Sequence, residues 1–112
     1  NPIDTLIIRI IECFDNNEHF YKIGITIHSI KKRFSGKLNM PYDYNVILNY
    51  ETGIIEAWEL EQSFLNNPQN YNIKYLPNKY MNGFSECFSI NPIDVDIKLG
   101  ELYKHQLHFY EE

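Results

Sequence analysis

Two β-type runs separated by a short turn sequence constrain the fold of this chain most strongly. Residues 5–13, Thr-Leu-Ile-Ile-Arg-Ile-Ile-Glu-Cys, are apolar and β-branched, and they predict a buried strand. Asp15-Asn16-Asn17-Glu18 follows with turn chemistry. Residues 19–27 then alternate: Tyr21, Ile23, Ile25 and Ile27 share one face, and Phe20, Lys22, Gly24 and Thr26 share the other. The two runs therefore predict an antiparallel hairpin.

The rest of the chain must cover that hairpin. Ser29 can cap a helix running to about Leu38, with Ile30, Phe34 and Leu38 as its apolar stripe, and Met40-Pro41-Tyr42 breaks it. Residues 43–50 predict a third strand, ended by Thr52-Gly53, and a second helix runs from about Ile54 to Leu65. Residues 66–84, rich in Asn, Pro and Tyr, read as a loop long enough to suggest a function. Glu86 to Ile90 reads as a short extended piece, and residues 93–110 include a terminal helix. The expected fold class is α+β: a small three-stranded antiparallel sheet flanked by helices, in the order β-β-α-β-α, then a loop and a C-terminal helix. With 112 residues the chain is the size of one domain, 1–112, with its core at about 5–90 and a C-terminal extension at 91–112. Aromatics at 15% mean that much of the core is built from rings.

Charge is uneven. The net charge is −5, which argues mildly against indiscriminate nucleic-acid binding. Yet Lys22, Lys31, Lys32, Arg33 and Lys37 fall in one window without an acid, while Glu86 to Glu112 holds six acids and two lysines. Such a cluster is either a solvated helix face or a phosphate-binding patch. Cys13 and Cys87 are too few for a disulfide framework and lack metal spacing, so we expect buried thiols in a reducing, intracellular (cytoplasmic) setting. No apolar run reaches the ~20 residues of a membrane span, so no membrane association is expected. No secretory signal pattern is read at the start, and a chain opening on Asn1 fits a domain excised from a longer protein. His19, His28, His105 and His108 show no metal-ligand spacing.

Three side chains stand out chemically. On the second helix, Ile54, Ile55, Ala57, Trp58, Leu60, Phe64 and Leu65 define an apolar face, with Glu56 and Glu59 opposite. Glu61 falls near the centre of the apolar face. A carboxylate there is either held by an Arg or a Tyr hydroxyl, or it is a metal ligand at the floor of a cleft. Lys22 shares its face with Gly24, and a glycine inside a strand often marks close approach by a ligand or backbone. A lysine there can contact phosphate, act as a base if desolvated, or simply protect a sheet edge. Arg33, eleven residues on, suits the charge of a phosphoryl transition state.

Phe20-Tyr21-Lys22-Ile23-Gly24-Ile25-Thr26, followed by Ser29-Ile30-Lys31-Lys32-Arg33-Phe34, resembles the second half of the GIY-YIG nuclease motif. The likeness is to the phage and restriction-enzyme-like branch, where lysine replaces the YIG tyrosine. Met40 to Ile47, the Glu61 helix and Phe84-Ser85-Glu86-Cys87-Phe88 extend it over roughly residues 5–90. The resemblance implies a metal-dependent DNA endonuclease of GIY-YIG-like fold. It places Lys22 at the YIG tyrosine, Arg33 at the family arginine and Glu61 at the glutamate that binds Mg²⁺ or Mn²⁺. Lys22, alone or with a tyrosine, would activate water. Tyr21 joins the catalytic set by adjacency, although strand alternation sends it to the core face. Lys31, Lys32 and Lys37 would contact flanking phosphates, with Gly24 leaving room for the DNA. The chain departs from the family at Gly-Ile-Tyr, whose tyrosine position falls near Arg9, Ile7 or Ile8. The late asparagine position stays open between Asn82, Asn91 and Glu86. A lone domain of this kind cuts one strand, so double-strand cleavage calls for a homodimer or an additional DNA-binding domain. The alternatives are a catalytically inactive module of the same fold that binds nucleic acid or protein, and a structural domain with Glu61 merely ion-paired.

Overall fold

The computed structural model describes residues 4–27, 40–81 and 86–111, with side chains as far as 107. Strand β1 (Thr5–Phe14) and strand β2 (His19–Thr26) form the expected hairpin, with Ile10 opposite Ile23 and Cys13 opposite Phe20. The turn is held by Asp15, whose Oδ1 accepts from the backbone N–H of Asn17 and of Glu18, both at 2.8 Å. Strand β3 (Asp43–Gly53) pairs antiparallel with the other edge of β1. It runs three residues beyond the expected end, because Leu6 and Thr5 of β1 still pair with Thr52 and Gly53. Register shifts between Ile10 and Ile11, leaving Ile47 as the extra residue of a bulge in β3.

Among the described residues the sheet has four strands, in the order β3-β1-β2-β4, rather than the expected three. Strand β4 (Cys87–Phe88) pairs antiparallel with Lys22 and Tyr21. Two residues carry no readable periodicity, which is why the sequence shows only an extended piece there. The coarse expectation, a small α+β fold with an antiparallel sheet and helices, is what the structure has.

Each face of the sheet carries a core. On one face Ile8, Ile10, Ile23, Leu48 and Phe88 pack under Leu60 and Phe64 of helix α1 (Ile54–Leu65). Leu99 completes this core from helix α3 (Ile97–Glu111), which follows the four-residue helix α2 (Pro92–Val95). On the other face Ile11, Cys13, Phe20 and Cys87 pack with Met40, Tyr42 and Met81. Helix α1 has the expected bounds, but it buries a narrower stripe: Ala57, Leu60, Glu61 and Phe64. Ile55 and Trp58 are exposed, contrary to the expected apolar face, because only that stripe meets the sheet.

The stretch from 66 to 81 is a strap rather than a free loop. It opens with a 3-10 helix (Pro68–Ile73), and Asn70 Nδ2 donates to the Phe64 carbonyl at 3.0 Å. Lys74 and Tyr75 then run beside β4, with Tyr75 N–H donating to the Cys87 carbonyl at 3.0 Å. The strap ends on Glu18, which accepts from the Tyr75 hydroxyl, the Tyr42 hydroxyl and the Asn78 N–H. Among the described residues, no helix is long and apolar enough to cross a membrane.

Candidate active site

Strand β2 carries Lys22 and Gly24 on the face of the second core, as its alternation requires. Lys22 is only 4% exposed. Its Nζ lies 3.5 Å from Oε2 of Glu86, the residue just before β4. A Cβ at Gly24 would stand 3.4 Å from both of these charged tips. The missing side chain thus leaves a narrow opening in front of the ion pair.

Helix α1 brings the third charge. Glu61 is 6% exposed, as its position among apolar residues predicted. β4 pairs only with Tyr21 and Lys22, so it stops short of Ile25, and the Ile25 backbone N–H is free to meet the Glu61 carboxylate. Gln62 Nε2 donates to Glu61 Oε1 at 3.3 Å. Burial raises the Glu61 carboxyl above the usual range, and the negative charge of Glu86 adds to the rise. The two hydrogen bonds and the Lys22 ammonium oppose that rise.

The structure thus gathers Lys22, Gly24, Glu61 and Glu86 at one edge of the sheet. It does not bring Tyr21 to them. Tyr21 is half-buried on the opposite face of β2, across from Glu12 and with its ring 5.3 Å from that of His19. Burial raises the Tyr21 hydroxyl, helped by the charges of Glu12 and Asp94. Arg33, Lys31, Lys32 and Lys37, and the basic helix expected over 29–38, lie outside the described residues. So does Asn82, while Asn91 caps α2 through its side chain. Arg9, near which the missing tyrosine position falls, is buried opposite Gly24 and donates from Nε to Asn49 Oδ1 at 2.8 Å.

The donor set suits a hard divalent cation. Mg²⁺ takes one or two protein carboxylates and keeps its waters, and Glu61, buried and repelled by the charge of Glu86, is a hard oxygen donor whose charge a cation would offset. Among the described residues, no group of three or more His, Cys, Asp or Glu converges as a metal cage. Cys13 and Cys87 are buried and in no disulfide, and burial chiefly pushes both thiols up to about 12, which leaves them unreactive. A separate groove of about 760 Å³ between α1 and α3, lined by Trp58, Leu60, Leu102 and Glu101, includes none of the clustered charges.

Fold and site together define a small α+β protein with a buried lysine–carboxylate cluster at a sheet edge. Compared with family models, curated proteins and solved structures, the chain matches none.

Proposed function

We propose that the chain is a metal-dependent DNA endonuclease of GIY-YIG-like fold, acting at the Lys22–Glu61–Glu86 cluster. The observation that carries this reading is the placement of Glu61. A carboxylate on the buried stripe of a helix, with its carboxyl raised, is held beside a buried lysine and a glycine that leaves room for a ligand. A carboxyl perturbed by desolvation and by a specific charged neighbour is a candidate functional group.

In this reading Glu61, with Glu86 nearby, would hold Mg²⁺ or Mn²⁺, and the bound cation would supply Lewis-acid polarisation of the phosphodiester. Lys22 sits across Gly24 from where that phosphate lies. Its pairing with Glu86 supports a role as a phosphate contact whose attraction strengthens as the phosphate gains negative charge. Arg33, from the resemblance, adds a second positive contact. Lys31, Lys32 and Lys37 are assigned to flanking phosphates.

The test is a nicking assay on supercoiled plasmid with Mg²⁺, with Mn²⁺ and with chelator, using the parent and Glu61→Ala. The reading requires metal-dependent nicking by the parent, reduced at least about 100-fold in the variant. A parent that never nicks leaves a non-catalytic DNA-binding module. The net charge of −5 and the absence of a Gly-Ile-Tyr tyrosine favour that second reading.

A further inference from the structure

Lys22 already holds an anion where the proposed reaction needs it to hold a phosphate. We infer that Glu86 is an internal stand-in for a DNA phosphodiester: it occupies the front of Lys22 in the unliganded protein and yields that place when DNA binds. The inference deepens the nuclease reading and takes its ligand from it.

A buried ammonium needs a counter-ion at all times, and Lys22 is almost wholly buried. The anion that faces it is carried by a residue that can leave. The Glu86 side chain is 30% exposed, whereas that of Lys22 is 5% exposed. Their separation of 3.5 Å exceeds the ~2.7–2.9 Å of a tight charge-assisted hydrogen bond, so the pair is attracted without being locked. Glu61 lies close enough for its carboxyl to respond to the charge of Glu86, and two neighbouring carboxylates repel. The space at Gly24 borders both charged tips, and Glu86 is the more solvent-exposed of the two. A phosphodiester and a carboxylate each bring one negative charge and acceptor oxygens. Exchanging one for the other keeps Lys22 paired throughout.

The experiment measures binding of a short fluorescein-labelled DNA duplex by anisotropy, in chelator so that no metal is bound and no strand is cut. Parent, Glu86→Gln, Lys22→Met, the double variant and Glu59→Gln are compared at one ionic strength. Glu59 is exposed on α1 and serves as the control for removing any negative charge. The expected result is that Glu86→Gln binds at least about fivefold tighter than the parent, while Glu59→Gln changes binding less than about twofold. The gain disappears in the Lys22→Met background, because that background has no ammonium to unmask. Unchanged or weaker binding by Glu86→Gln overturns the inference. So does an equal gain in Glu59→Gln, a gain that survives Lys22→Met, or failure of every variant to bind DNA. The nicking assay separates this outcome from the nuclease reading. A parent that nicks with no tightening in Glu86→Gln defeats the inference alone. Tightening in a parent that never nicks defeats the nuclease reading alone.

Discussion

Glu18 and Glu61 are both buried, yet only at Glu18 do hydrogen bonds outweigh the cost of burial. Burial opposes the charge on Glu18, but hydrogen bonds from Tyr42, Tyr75 and Asn78 outweigh it and hold its carboxyl below the usual range. A carboxyl held lower in the folded chain adds stability above its unfolded value of about 4.3, and that stability is lost as pH falls through the folded value. Tyr75 mirrors this at the alkaline end. Its hydroxyl is raised to about 12, first by its bond to Glu18 and then by burial, so its contribution is complete below about pH 10 and lost as pH rises toward 12. Glu18→Gln should cost about 2 kcal/mol at pH 7, read from the urea midpoint, and should flatten the acid limb of the stability profile below about pH 4. An unchanged acid limb would show that Glu18 is not the group responsible. Glu61 has the opposite sign. Its carboxyl is raised, so ionising it costs stability at pH values above the folded value, and below about pH 4 the cost is absent. Glu61→Gln should therefore be more stable than the parent by about 1 kcal/mol at pH 7, with the gain shrinking toward pH 4. Loss of stability in that variant would mean the charge is well compensated and not held in reserve for a ligand.

Helix α3 meets α2 at Gly100, whose N–H donates to the Asp96 carbonyl at 2.9 Å. A Cβ there would fall 2.9 Å from the Ile93 carbonyl oxygen, which is backbone and cannot turn aside. Alanine is the better helix former by about 1 kcal/mol, but the clash should win. Gly100→Ala is expected to lower stability by about 1–3 kcal/mol in thermal unfolding, and a rise in midpoint would show that α2 and α3 slide freely. How much of the elements was legible follows from where their information lies. The β1–β2 hairpin and both ends of α1 were readable because alternation and helical spacing are local. The length of β3 was not, since its last residues are strand only through pairing with Thr5 and Leu6. The exposure of Ile55 and Trp58 was not, because periodicity gives a face but not the width of the stripe that the sheet will cover. Glu61 was singled out by lying inside that stripe. Glu18 read as a turn acid because its partners, Tyr42, Tyr75 and Asn78, are brought to it only by the fold. The pairing of Lys22 with Glu86 was equally hidden. It depends on β4 joining the free edge of β2.

The two cores give the molecule its division of labour. One face is closed by α1 and α3, and the other by Met40, Tyr42 and Met81, with the strap fastened at Glu18 beside it. Glu61 stands between them, carried by a helix whose Leu60 and Phe64 belong to the first core while its carboxylate reaches the edge of β2. The position of the candidate site therefore depends on how firmly α1 is pressed onto the sheet, and α3 contributes to that pressure. Leu99 is fully buried in the same cluster as Leu60, Phe64 and Phe88, and Gln106 ties α3 to β3 through the Ile47 carbonyl and the Asn49 N–H, each at 3.2 Å. The C-terminal helix is thus part of the core. Leu99→Ala should cost about 3 kcal/mol, since it removes a fully buried side chain and leaves a cavity against Phe64 and Phe88. That is a large share of the 5–15 kcal/mol typical of a domain, so the variant should remain folded but unfold at clearly lower urea. A chain ending at Ser89 should go further and lose cooperative unfolding, with its near-ultraviolet circular dichroism collapsed and hydrophobic dye bound, as expected when the side chains of one core lose their cover. A cooperative transition in that shortened chain, together with a Leu99→Ala midpoint equal to the parent's, would mean that α3 rests on the sheet without holding it. The alignment of Glu61 with Lys22 would then be secured by α1 alone.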